Sequence, residues 1–541
     1  MCTMASAESK VRSCLNLRSA SLPLLTTFVD HPMSAQPTRA LAVPFLGVLA
    51  SLQLIDPSVA NTALVKAGQA LEMQGATLAL AASISTLAQA ATVLLMGFLG
   101  DRLERRQVLM AALLMLIAGD GIAMAAPHAG LFLLGRALAG IAVGAVLVLS
   151  FAAVGAVSPP DQLGNALGVW HLLTIIGFIA ASLMGGLLAN SSWRLALGLV
   201  PLIALLCLPL LPLLLPEMPA NPKLRPDWPG LISIAGAMVL FLSGVTHAVN
   251  GLTSPQFLVP ALSGVVLFGV HLLIERGRQQ PIFPVALYRR GCFAAAIVSA
   301  IAANFAWAVV QLQTSNFWQL VQHFSTSQVA LAQLPLLVCF AVGAVPAGRL
   351  MRPGRRTTQL MGGGIVSLVL GLLLFAVVRA DSSYSSLVLP MVLVGSGLAF
   401  LAVPQAVLFV QEAPPGSLGP VTAFRTTTGQ FGFALGFAAS GAMVNGFGSA
   451  NLHEQVLKLG STTVWSSELE AKVRAALGSG MLSRAKGLTA QGIQVMTDTY
   501  ASGLSGTMFV VALLVGLLGA ISLLFLVIGH QQQRVEQGGR T

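Results

Sequence analysis

Charged residues are scarce in this sequence. Asp, Glu, Lys and Arg make up 9% of its 541 residues, hydrophobic residues 55%, and the mean hydropathy is +0.83. A water-soluble domain carries about 25% charged residues, so most of this surface does not face water. Cysteine is also rare. Cys2 and Cys14 lie in the N-terminal extension, and Cys207, Cys292 and Cys339 lie in or beside apolar segments. That placement argues against a structural disulfide, and no spacing suits a metal site. Enzyme signatures are missing: there is no Gly-rich phosphate loop before a helix, no His-Glu-x-x-His and no Gly-x-Ser-x-Gly. No segment is large and polar enough to be a sensor's soluble output domain. The expectation is a protein that is not an enzyme and needs no cofactor or metal.

Apolar runs of membrane-crossing length are abundant. About 20 helical residues cross a bilayer core, and such runs fall at 41–62, 76–98, 107–126, 131–154, 165–189, 193–215, 229–249, 256–274, 291–314, 328–348, 359–378, 386–410, 422–446 and 505–529. One such run could be a buried core helix; fourteen cannot. Turn residues such as Pro127, Pro159-Pro160 and Pro414-Pro415-Gly416 mark the joins. The net charge of +11 does not point to nucleic acid, because it is confined to one side. Alternate segments, including those with Arg102, Arg105, Arg106, Arg349, Arg355, Arg356 and Arg425, hold 20 Lys and Arg, whereas the short loops between them hold Lys66, Arg194 and Arg379. By the positive-inside rule, both termini are cytoplasmic. Residues 1–38 form an N-terminal extension expected to be disordered, with Met33 a possible true start. The stretch 447–504 is the one long outer loop. Glu468 and Lys472, with Leu469, Val473 and Leu477, place a short amphipathic helix there, either a solvated cap or a contact for a periplasmic adaptor protein.

An internal repeat organises the chain. Gly97-Phe-Leu-Gly-Asp101-Arg102-Leu-Glu-Arg105-Arg106 and Gly348-Arg-Leu-Met-Arg352-Pro-Gly-Arg355-Arg356 lie eight spans apart. Two six-helix halves separated by an inserted pair explain that offset. The boundaries expected are 39–215, 216–275 and 276–530, with a tail at 531–541. Repeated halves place a small-molecule site near the midplane at their interface.

Three segments carry a family likeness. Gly97–Leu109 resembles the cytoplasmic signature G-x-L-a-D-r-x-G-r-k-x-x-L of the major facilitator superfamily, with Glu104 in place of the central glycine. Leu133-Leu-Gly-Arg136-Ala-Leu-Ala-Gly140-Ile-Ala-Val-Gly144 resembles that superfamily's fourth-helix motif, whose arginine is associated with proton coupling in exporters. Leu54-Ile55-Asp56-Pro57-Ser58-Val59-Ala60-Asn61-Thr62-Ala63-Leu64 looks like the first-helix motif L-D-x-T-x-V-N-V-A-L-P of the fourteen-helix drug:proton antiporter branch, the EmrB/QacA type. Weaker likenesses to that branch lie around Trp193-Arg194, Gln280-Pro281 and Gly429–Gly436, so the resemblance runs from about residue 42 to 530. Gly177, Ser182, Gly185 and Gly186 resemble the fifth-helix motif G-x-x-x-G-P-x-x-G-G, with Ala181 and Ser182 replacing its second glycine and proline. The resemblance implies an all-α membrane protein with the major facilitator fold, two six-helix bundles plus two inserted helices. It implies a bacterial inner-membrane carrier that exports small amphipathic molecules by alternating access, with protons and the lipid bilayer as its other partners. The missing proline keeps a second reading open, a proton-coupled importer or facilitator of a metabolite on the same fold.

The residues themselves give these motifs physical content. A charge inside a span costs about 2.5–3.5 kcal/mol on insertion scales, so Arg136 needs a partner or a wet cavity. Asp56 is its natural counter-charge, at a similar depth. Low dielectric favours a neutral carboxyl and a nearby arginine opposes that, which makes a proton-binding group whose affinity can change. Asp120 falls at the same level; it either tunes the pair or faces the outer interface, and the second is favoured. Asp101 can accept hydrogen bonds from a neighbouring helix terminus, and Arg102, Arg105 and Arg106 can bind acidic groups or headgroups. For cargo, Asn304, Trp307, Gln311, Thr314 and Trp318 share one helical face, either lining a cavity or joining a neighbouring helix. Gln53, Asn61, Gln89, Gln405 and Gln430 complete the candidate set. Rings beside amides, with only Asp56 and Asp120 as acids in the spans, suit a neutral or monovalent amphipathic molecule.

Overall fold

The computed structural model describes residues 37–538, apart from 74, 219, 223, 225–226, 248–252, 277–284, 352–354, 415–416 and 459–489. The N-terminal extension and the amphipathic segment around Glu468 lie outside the described residues.

Fourteen helices in the described residues are long and apolar enough to cross a membrane. They are α1 (Pro37–Ala70), α2 (Gly75–Arg102), α3 (Arg105–Ala125), α4 (Ala129–Val157), α5 (Leu163–Ser191), α6 (Trp193–Leu214), α7 (Trp228–Thr246), α8 (Pro255–Arg276) and α9 (Gly291–Leu320). Then come α10, in two pieces (Thr326–Ala332 and Leu334–Leu350), α11 (Arg355–Phe375), α12 (Tyr384–Gln411), α13 (Leu418–Lys458) and α14 (Ala490–Gly538). Short polar residues set several starts: Ser192 caps α6 through Arg194 N (3.2 Å), Asp227 caps α7 through Gly230 N (3.2 Å), and Ser325 with Gln328 forms a capping box on α10. With no water in hydrocarbon, a helix is the form that satisfies its own backbone. Large apolar side chains such as Leu187, Leu213, Val266 and Leu273 stay exposed on the outside, as lipid contact requires.

Each half has its own apolar core, one built from α1–α6 and the other mainly from α9–α14. α7 and α8 pack on each other, and α7 also touches α2 and α13. The halves meet along two equivalent seams, α2 with α13 and α5 with α10. Both are sealed near the basic end by a pair of glycines. A Cβ on Gly419 would lie 2.1 Å from the Gly97 carbonyl, and one on Gly348 would lie 2.2 Å from the Gly164 carbonyl. Gly97 and Gly348 are the first glycines of the two copies of the sequence repeat, so the repeat is used as a repeated backbone contact. A side chain at either seam forces the backbones apart. Gly419→Val is expected to hold the basic end open, read as raised thiol labelling of a cysteine substituted for Met351, which lies beside Gly164.

The last two helices differ from the sequence reading. α13 has 41 residues and α14 has 49, about 60 and 70 Å at 1.5 Å per residue, well beyond the hydrocarbon. Helix therefore covers both ends of the stretch expected as an outer loop, leaving 459–489 between them. The cause is pairing: Gly503 would place a Cβ 2.4 Å from the Val444 carbonyl, and Tyr500 donates to Gln313 Oε1 at 2.7 Å. Polar residues there interrupt the apolar run but not the helix.

Candidate functional site

The deepest polar feature in the first half is an ion cluster. Arg136 of α4 is 2% exposed, Asp56 of α1 is 1% and Asp120 of α3 is 0%. The guanidinium grips Asp56 with two bonds, Nη1 to Oδ1 at 2.6 Å and Nη2 to Oδ2 at 2.8 Å, and Nη1 also reaches Asp120 Oδ1 at 2.7 Å. Ser85 Oγ of α2 donates to Asp56 Oδ2 at 3.3 Å. Four helices thus supply one group each. Arg136 suits the task because its planar fork bonds a carboxylate bidentately and still presents further donors.

Asp120 corrects the sequence reading. It does not face the outer interface; it is an integral member of the cluster, although its buried Oδ2 has no hydrogen-bond partner among the described residues. Its position follows from neighbouring glycines. A Cβ on Gly119 would lie 2.7 Å from Ala139 N, and one on Gly135 would lie 2.5 Å from the Gly119 carbonyl. With no side chains at Gly119 and Gly135, α3 and α4 touch backbone to backbone, and the next residue of each, Asp120 and Arg136, meets the other. On the opposite side Gly140 admits α2, where an added Cβ would sit 2.1 Å from the Ser85 carbonyl. Pro57, directly after Asp56, has no N–H to bond the Gln53 carbonyl, so α1 is loosened beside its carboxylate.

With two carboxylates and one guanidinium, the cluster carries a net charge of −1 when fully ionised. One proton makes it neutral. An uncompensated charge at such depth is costly, and one proton is what the charge balance of these three groups requires.

The fifth-helix residues serve α1. A Cβ on Gly177 would lie 2.6 Å from Ser51 Oγ and one on Gly185 2.6 Å from Val59 Cγ2, while Ser182 Oγ lies 3.3 Å from Ser58 Oγ. These contacts straddle Asp56. Gly186 is different, with open space around its Cα.

At the basic end, Asp101 Oδ2 accepts from Gly419 N, the start of α13, at 2.7 Å, and Asp101 Oδ1 pairs with Arg105. A single carboxylate therefore ties the first half to the second. Arg106 bonds Glu217 at 2.8 Å, and Glu104 accepts from Met218 N at 3.3 Å. The glutamate that departs from the family pattern is thus used to hold the segment after α6. Arg102 makes no ion pair among the described residues.

The candidate cargo residues divide. Trp307, Gln311 and Thr314 of α9 line a narrow pocket closed by Gln333, Leu336, Leu337 and Met391. Trp318 is fully buried and packs near Tyr384, with ring centroids 6.2 Å apart, so it belongs to the core and does not line that pocket. Asn304 Nδ2 bonds the Ala300 carbonyl at 2.8 Å and lies beside Gly429. Gln89 Nε2, Trp307 Nε1 and Gln430 Oε1 are buried without hydrogen-bond partners among the described residues. Gln405 is buried beside Ser299, 3.5 Å away, Gln53 is half-buried and Asn61 is exposed. Gln313, which sequence reasoning passed over, is the residue that joins helices: it donates to Ser440 at 2.9 Å and accepts from Tyr500.

The family model described as Major Facilitator Superfamily matches residues 46–437. The chain belongs to the major facilitator superfamily. It is 25% identical over 406 residues to the puromycin resistance protein pur8 of Streptomyces alboniger, covering 74% of this chain and 81% of that one. It is 26% identical to the multidrug resistance protein Stp of Mycobacterium tuberculosis, covering 77% and 78%. It is 23% identical to the methylenomycin A resistance protein of Bacillus subtilis, covering 77% and 90%. Among solved structures, the human organic anion transporter MFSD10 has the same fold at a TM-score of 0.58 and 16% identity, covering 91% of this chain and all of that one. The proton:xylose symporter XylE aligns at 0.56 and 14%, covering 88% and 95%. As a multi-pass member of this superfamily, the chain is a membrane transporter of small molecules.

Proposed function

We propose that this transporter exports small amphipathic molecules across a bacterial inner membrane, each exchanged for protons by alternating access. Both termini are cytoplasmic in this reading, and the basic end is the cytoplasmic face. The chain divides at residues 39–215, 216–275 and 276–530, and the outer segment between α13 and α14 is where a periplasmic adaptor would dock. The observation that carries the reading is the buried Asp56–Arg136–Asp120 cluster. Its three groups need one proton for neutrality and sit in the half that must rock against the other. Resistance proteins among the relatives favour export over import.

The cluster suggests a division of labour. Protonation of Asp56 breaks its grip on Arg136, and Asp120 keeps the arginine paired meanwhile, so no bare cation is stranded in hydrocarbon. Release of that proton restores the bidentate bond. The Asp101–Gly419 bond and the two glycine seams hold the cytoplasmic end shut in one state and part in the other.

The test is a susceptibility panel on a host with and without the gene. Expression is expected to raise tolerance to several amphipathic compounds, and a protonophore to remove the gain. Unchanged tolerance across the panel, or accumulation of the compounds in expressing cells, would refute export.

A further inference from the structure

Arg425 was counted among the basic residues at the cytoplasmic end. The structure places it seven residues inside α13, about 10 Å along the helix from Leu418. A cation at that depth needs a counter-charge or a wet cavity. Among the described residues no carboxylate forms an ion pair with this one. Its guanidinium carbon lies 4.2 Å from the centre of the Phe151 ring, and its buried Nε has no hydrogen-bond acceptor among the described residues.

The ring beneath Arg425 starts a chain of aromatic contacts that crosses the seam between the halves. Phe151 of α4 meets Trp170 of α5 at 5.4 Å, and Trp170 meets His171 at 4.8 Å. His171 meets Phe340 of α10 at 6.1 Å, Phe340 meets Trp307 of α9 at 5.3 Å, and Trp307 meets Phe433 of α13 at 6.4 Å. Along this path the buried indole N–H groups of Trp170 and Trp307 have no acceptor among the described residues. Phe151, Trp170, His171 and Phe340 are buried against one another, whereas Trp307 and Phe433 are half-buried; the path therefore offers two partly open rings, spare donors and one positive charge that no described carboxylate pairs with. His171 spends its Nδ1 on the Leu167 carbonyl at 2.9 Å, which leaves the arginine as the fixed charge of the group.

We propose that Arg425 is an anion-recognition residue, and that the cargo favoured by this carrier is an aromatic molecule bearing a carboxylate or another anionic group. The inference rests on the export reading for its use of the word cargo, but its chemistry stands on Arg425 alone. The anion supplies the counter-charge that the described residues do not, and its ring packs against Trp307 and Phe433, the half-buried rings of the path.

Three probes sharing one fluorophore test it with the purified full-length protein: dansylglycine (anionic), dansylamide (neutral) and dansylcadaverine (cationic), each titrated by fluorescence anisotropy. The wild type is expected to bind dansylglycine about tenfold or more tighter than dansylcadaverine, equivalent to about 1.4 kcal/mol. Arg425→Gln is expected to erase that preference while dansylamide binding persists, and Arg425→Lys to retain it in part. Equal or better binding of the cationic probe by the wild type would overturn the proposal, as would binding of none of the three. Equal weakening of all three probes by Arg425→Gln would also overturn it, showing a structural role only. If this preference holds but a protonophore does not affect resistance, the export reading fails and the anion site stands.

Discussion

Arg136→Met is expected to abolish transport and to lower the melting temperature of the purified protein markedly. The substitution leaves Asp56 and Asp120 facing each other with three hydrogen bonds gone. Breaking a buried ion pair by removing one partner costs about 3–5 kcal/mol, and two adjacent carboxylates cannot both stay ionised at such a site. The loss therefore falls on stability as well as function. Adding Asp56→Asn and Asp120→Asn to Arg136→Met removes the orphaned acids, so most of the stability is expected to return while transport stays lost. Arg136→Lys keeps the charge but not the planar fork, and is expected to fold but to transport poorly. A melting temperature for Arg136→Met equal to that of the wild type would show that the cluster does not hold α1, α3 and α4 together.

Asp56→Asn has the opposite profile. With Asp56 neutral, Arg136 and Asp120 still balance one another, and the variant resembles the protonated state of the cluster. It is expected to fold and melt close to the wild type. In inverted vesicles, however, substrate accumulation driven by the proton gradient is expected to vanish. Downhill exchange of labelled for unlabelled substrate would persist, because that cycle needs no change in the cluster's charge. The contrast between the two variants separates holding the helices together from carrying the proton.

Much of this was readable from the sequence because it is local. Fourteen spans are visible as runs of adequate length, and Asp56 and Arg136 stand out because a charge in such a run is rare and its depth can be counted. The parts that were not readable depend on contacts between distant segments. Asp120 has the same composition and depth whether it faces lipid headgroups or the protein interior. What decides is the backbone contact of Gly119 with Gly135, and a Gly beside each charged residue was the available signal. Arg425 was counted with the cytoplasmic charges because a basic residue near a span end normally reaches back to the interface; here Phe151 holds it inside. Gln313 and Gln311 are two residues apart on one helix, yet one joins α13 and α14 while the other lines a pocket. Only the facing helices distinguish them. The ends of α13 and α14 were missed because the contacts of Gly503 with Val444 and of Tyr500 with Gln313 sustain helix where polar residues interrupt the apolar run, which no hydropathy window registers.

One exchangeable proton on the Asp56–Arg136–Asp120 cluster is the central claim, and a pH-indicator dye in weakly buffered detergent solution tests it directly. Addition of a transported substrate to the purified wild type is expected to release protons, and the same addition to Asp56→Asn to release none although the substrate still binds. Equal release from both proteins would contradict the account.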